Sequence, residues 1–135
     1  MKLLETMIDW ADKTGVEIKQ EEESIYFPVN GDNGSWFARV SALEEDGVIF
    51  IVTAFPFQVA EERRTETAIA LGNITRQLKM GAFYIDMNDG QINFRLSQKI
   101  GSEEEMEQWV SELIILAMQV TDAYYRRMMG FAAEN

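Results

Sequence analysis

The chain has 135 residues, with 12 Lys+Arg against 23 Asp+Glu, a net charge of −11, and neither His nor Cys. Those two zeros exclude disulfides, thiolate zinc sites, cysteine nucleophiles and Ser-His-Asp triads, and leave any acid–base chemistry to Asp, Glu, Lys or Tyr. The acidity argues against a nucleic-acid binder, no apolar run reaches the roughly 18 residues of a membrane span, and the length suits a single domain over 1–135.

Residues 2–14 place Leu4, Met7, Ile8 and Ala11 at helical spacing, flanked by Leu3 and Trp10, and Gly15 is set to end that helix in the left-handed conformation with Val16 behind it. Acids at Glu5, Asp9 and Asp12 do not suit a secretory leader, so the expected location is the cytoplasm. Residues 16–23, with the run Glu21-Glu22-Glu23, read as a solvated loop. Three strands follow, over 24–29, 35–43 and 48–55, separated by the turn clusters 30–34 and 44–47. Pro56 is expected to end the third strand.

A helix is predicted over 60–79, with Ala68, Leu71, Ile74, Thr75 and Leu78 on one side and Gly81 closing it. Asn88-Asp89-Gly90 then joins a strand over 82–87 to one over 91–100, whose Ile92, Phe94 and Leu96 point inward and Gln91, Asn93, Arg95 and Ser97 outward. Ser102-Glu103-Glu104-Glu105 has the form of a capping box, and the final helix carries Met106, Trp109, Val110, Leu113, Ile114, Ala117, Val120, Thr121 and Tyr124 up to a stop at Gly130. The order is α-β-β-β-α-β-β-α, an α+β domain with a five-stranded antiparallel sheet and three helices.

No motif asks for a cofactor or a metal. Asp86, Asn88 and Asp89-Gly90 resemble a calcium loop only faintly, with glycine at the fifth position and Ser97 at the twelfth, and a hairpin explains them better. Residues 30–34 lack the Gly-Lys-Ser/Thr ending and the following helix of a phosphate loop. The eight Met residues read mostly as core filling, with an adaptable partner surface as the sharper alternative. The strands over 35–43 and 48–55 are more informative, because they are apolar on both faces. Trp36, Ala38, Val40, Ala42, Ile49, Ile51 and Phe55 share one face; Phe37, Leu43, Val48, Phe50 and Val52 share the other, beside Arg39 and Ser41. Either the 60–79 helix covers that second face or it meets a partner.

The segment Ala70-Leu71-Gly72-Asn73-Ile74-Thr75-Arg76-Gln77-Leu78-Lys79-Met80-Gly81-Ala82-Phe83 resembles a stretch of the YbjN-type proteins, bacterial sensory transduction regulators, in which a Leu-Asn-x-x-Asn helix runs into a Gly-x-Phe strand opening. Asn73 matches one asparagine; Arg76 or Gln77 stands in place of the second. The element order is also similar to that of the type III secretion chaperones, which are small, acidic, generally homodimeric proteins that hold segments of secreted effectors. The resemblance implies no catalytic residue.

Together these features point to a non-enzymatic protein-binding module, chaperone-like or regulatory, whose partner is a protein client or a second copy in a homodimer. Phe37, Phe50 and Val52 are the candidate contact residues, and the acidic surroundings are expected to favour basic clients. The alternative is a small-molecule sensor or carrier with its ligand between sheet and helix.

Overall fold

The computed structural model describes residues 2–133. Helix α1, Leu3–Thr14, turns Leu3, Met7, Trp10 and Ala11 inward at helical spacing, with Leu4 and Ile8 only partly buried beside them. Gly15 ends it at φ +76°, and the Val16 amide donates to the Ala11 carbonyl at 2.9 Å, as the sequence pattern anticipates. At the other end the Glu44 carboxylate accepts from the Leu3 amide at 2.7 Å, an anion placed on the positive end of the helix.

The strands are β1 Lys19–Glu21, β2 Ser24–Asn30, β3 Ser35–Leu43, β4 Val48–Gln58, β5 Ala82–Ile85 and β6 Gln91–Lys99. They form one antiparallel sheet in the order β1-β2-β3-β4-β6-β5, six strands where the sequence pattern shows five. The additional strand, β1, lies in the segment expected to be a loop. All three of its residues are exposed, and it is held by pairing its backbone with β2 rather than by burial. Pro56 does not end β4. The register jumps from Ala54↔Asn93 to Gln58↔Gln91, so two extra residues bulge on β4, and the proline falls where no ladder hydrogen bond is required of it.

Between β4 and β5 the chain makes a 3₁₀ turn, Glu61–Arg63, and helix α2, Arg64–Thr75, shorter at both ends than the helix predicted over 60–79. Helix α3, Met106–Ala133, starts just past the capping-box residues and runs through Gly130 without stopping. Helix α1 lies on β2 and β3 and beside α3, α3 lies on β4 and β6, and α2 packs at the outer edge against β5. The inward side chains of the central strands, among them Trp36, Ile51, Phe55 and Phe94, are sealed against α1 and α3. Burying each of these stabilises the fold by about 1.5–3 kcal/mol.

Three polar ties fix how the layers meet. The buried Thr121 hydroxyl donates to the Ala117 carbonyl at 2.7 Å, so it accepts from Thr53 of β4, also at 2.7 Å. The β2–β3 turn docks on α3, with the Asn33 amide donating to Asp122 Oδ1 at 2.9 Å and the Tyr125 hydroxyl to the Ser35 carbonyl at 3.1 Å. Thr75 Oγ1 accepts from the Phe83 amide at 2.9 Å, which closes the outer edge of β5 at that residue.

Close approach explains Gly34 but not Gly72. A Cβ on Gly34 would lie 2.2 Å from the Tyr125 ring, whereas one on Gly72, in α2, meets nothing within 4 Å. Replacing each by alanine is therefore expected to act in opposite directions. Gly34→Ala should cost about 1–3 kcal/mol by overpacking. Gly72→Ala should add about 0.5–1 kcal/mol by stiffening the unfolded chain. Thermal unfolding of the two variants checks this through the opposite signs of their Tm shifts.

Candidate functional site

Directly paired residues of an antiparallel sheet share a face. Across β3 and β4 the pairs Phe37↔Ala54, Arg39↔Val52 and Ser41↔Phe50 therefore place Phe37, Phe50 and Val52 together, on the face away from α1 and α3. Pairing with β6 adds Asn93, Arg95 and Ser97 opposite Ala54, Val52 and Phe50, and pairing of β6 with β5 adds Tyr84 beside Asn93. On the other flank, Tyr26 of β2 stands opposite Arg39.

Helix α2 does not cover this face, because it packs at the outer edge against β5 and ties its Thr75 to the backbone there. The covering role that the sequence leaves open for it is thus not the one it takes. Phe37 is 62% exposed, and Phe50 and Val52 keep part of their surface in solvent. Between Tyr26, Phe37, Arg39, Val52, Tyr84 and Asn93 the face dips into a shallow groove of about 440 Å³. Asn93 at its floor is only 6% exposed, although it points to the open side.

Two arginines bracket the central ring. The guanidinium carbons of Arg95 and Arg39 lie 4.8 Å and 5.7 Å from the centroid of Phe50. Each such contact contributes about 0.5–1 kcal/mol where solvent reaches it. Neither arginine has a carboxylate partner among the described residues, whose ion pair joins Lys13 to Glu107 between α1 and α3. Arg39 Nε is buried and has no hydrogen-bond acceptor. The residues that the sequence pattern leaves out of the site include Tyr26, Tyr84, Asn93 and Arg95. The alternation of the last strand marks Arg95 and Asn93 as outward-facing, but only the strand order brings that strand beside β4.

No group of three or more Asp, Glu, His or Cys that could hold a metal ion occurs among the described residues. Nor is any of their helices long and apolar enough to cross a membrane. The chemistry available at the open face is that of aromatic, aliphatic, amide, hydroxyl and guanidinium side chains, with the Asp86 carboxylate at the groove's border.

The family YbjN, described as "putative bacterial sensory transduction regulator", matches residues 3–129. The chain belongs to the YbjN family. Among curated proteins, none matches the sequence. Among solved structures, the crystal structure of YbjN from E. coli, described as "a putative transcription regulator", is similar with a TM-score of 0.62 and 17% identity, over 90% of this chain and 93% of that one. The ExsC-ExsE complex is similar with a TM-score of 0.61 and 11% identity, over 93% and 92%. The HopA1-SchA chaperone-effector complex has a TM-score of 0.54 and 10% identity, over 98% and 91%. These likenesses show a shared fold, an α+β domain.

Packing accounts for part of the YbjN-like stretch, residues 70–83: Asn73, Arg76 and Gln77 are exposed, and Ala82 stands opposite Arg95. Leu71 and Ile74 are buried, Thr75 closes the β5 edge, and Gly81, at φ +80°, sits where a Cβ would be 2.4 Å from the Phe94 ring.

Phe50→Leu tests the geometry of the bracket. It should remove the upfield ring-current shifts of the Arg39 and Arg95 side-chain protons in an NMR spectrum. It should also lower stability by about 1–2 kcal/mol, the sum of two cation–π contacts, while the backbone spectrum stays native.

Proposed function

We propose that this protein is a non-enzymatic, cytoplasmic protein-binding module, chaperone-like or regulatory, and that the open sheet face is where its partner docks. The observation that carries the reading is the uncovered face itself: Phe37, 62% exposed, beside Phe50 and Val52 and a groove of about 440 Å³. Exposed apolar side chains grouped on an uncovered face mark a contact surface. The family's description as a sensory transduction regulator and the chaperone-effector complex among the similar structures point in the same direction. The sensor or carrier alternative needs space between sheet and helix, where Ile51, Phe55, Phe94 and Ile114 lie fully buried.

Phe37→Asp tests the site with little risk to the fold, since surface changes usually stay within about 0.5 kcal/mol. Wild type and variant are used to capture proteins from bacterial lysate, and any protein held by the wild type alone is identified and purified. Hydrogen exchange of the reconstituted pair should then show protection in β3 and β4. Equal capture by both forms, or protection confined to the helices, contradicts the site. Light scattering on the free protein examines the rival occupant, a second copy of the chain.

A further inference from the structure

The open face reverses the charge of the molecule. The whole chain carries 12 Lys+Arg against 23 Asp+Glu. Yet the strand positions of this face hold Lys19, Arg39, Arg95 and Lys99, with Glu21 as the acid at its outermost strand. Asp86, just past β5, borders the groove. The central pair, Arg39 and Arg95, leans toward Phe50 from either side and meets no carboxylate among the described residues, while the Arg39 Nε donor is buried without an acceptor there. The unpaired buried donor costs about what any unpaired buried polar group costs.

Resting on the docking reading above, we propose that the partner is an acidic, extended polypeptide segment. Alternate side chains of an extended chain point the same way, roughly 7 Å apart. Two carboxylates so spaced can reach the two guanidinium groups that flank Phe50. The next side chain on that side, if apolar, enters the groove between Phe37, Val52 and Tyr84. Arginine keeps its charge at every physiological pH and offers a fork that fits a carboxylate with two hydrogen bonds. The expectation of basic clients, drawn from the net charge, is reversed at this face. The overall charge is screened beyond about 8 Å at physiological ionic strength, whereas contact pairs are screened much less. A second copy stacked through the same face would set like cations against each other, and a nucleic acid would bring a charge at every nucleotide against a strongly acidic protein.

The test is fluorescence anisotropy with short labelled peptides that carry Glu at alternate positions and a single Leu, compared with the same peptides carrying Lys for Glu and with a single-stranded oligothymidylate. The acidic peptide should bind at least about tenfold more tightly than either control. Arg39→Gln/Arg95→Gln should lose at least about tenfold of that affinity with an unchanged thermal midpoint; a tenfold change is about 1.4 kcal/mol. Should the double variant not fold, Arg95→Gln alone, at an exposed position, should lose several-fold. The inference falls if the Lys peptide or the oligonucleotide binds as tightly as the acidic one, if the arginine variants bind the acidic peptide undiminished, or if the wild type does not bind it. Binding of the Lys peptide that Phe37→Asp abolishes would overturn the acidic partner and leave the docking face standing. Loss of the docking face itself is read separately, from the capture experiment.

Discussion

The register between β3 and β4 is the constraint from which the rest of the molecule follows. Val40 opposite Ile51 puts one set of alternate side chains under α1 and α3 and the other set in the open. A one-residue slip of β3 on β4 would expose Trp36, Ala38 and Val40 and bury Arg39 with Phe37. Packing of the helices against one face makes such a slip prohibitive, so the composition of the open face is fixed as firmly as that of the core. The same register sets Arg39 beside Phe50, and the pairing of β6 with β4 completes the bracket with Arg95.

Polar ties keep this arrangement unique. The Thr53–Thr121 hydroxyl pair fixes α3 over β4, and the docking of the β2–β3 turn on Asp122 and Tyr125 fixes it along its length. Helix α2 is placed at the outer edge by the burial of Thr67, Leu71 and Ile74 together with the Thr75 tie to β5, and so lies off the open face.

What the sequence makes legible divides along physical lines. The alternation of Trp36, Ala38, Val40 and Ala42, and of Ile49, Ile51 and Phe55, is strong because burial enforces it, and both faces of the central hairpin follow from it. Gly15 is legible because left-handed helix ends favour glycine. Strand β1 is not, because nothing in Lys19-Gln20-Glu21 is buried and its turn passes through Glu22 at φ +55° without a glycine or asparagine to mark it. The continuation of β4 past Pro56 is hidden because a bulge, invisible in the pattern, accommodates the ring. Of the candidate site, Phe37, Phe50 and Val52 are readable from one hairpin. The roles of Arg95, Asn93 and Tyr84 depend on β6 lying between β4 and β5, a long-range pairing that local pattern does not encode.

That the face is open in the free protein and closes when a partner docks can be measured at one atom. The chain has no cysteine, so Phe37→Cys introduces a single thiol at the centre of the claim. The account predicts maleimide labelling at nearly the rate of a free thiol in the isolated protein, and slowing of at least about tenfold when a docked partner saturates the face. Slow labelling of the dilute free protein would mean that the face is already covered, and labelling unaffected by a bound partner would mean that docking happens elsewhere; either result contradicts the account.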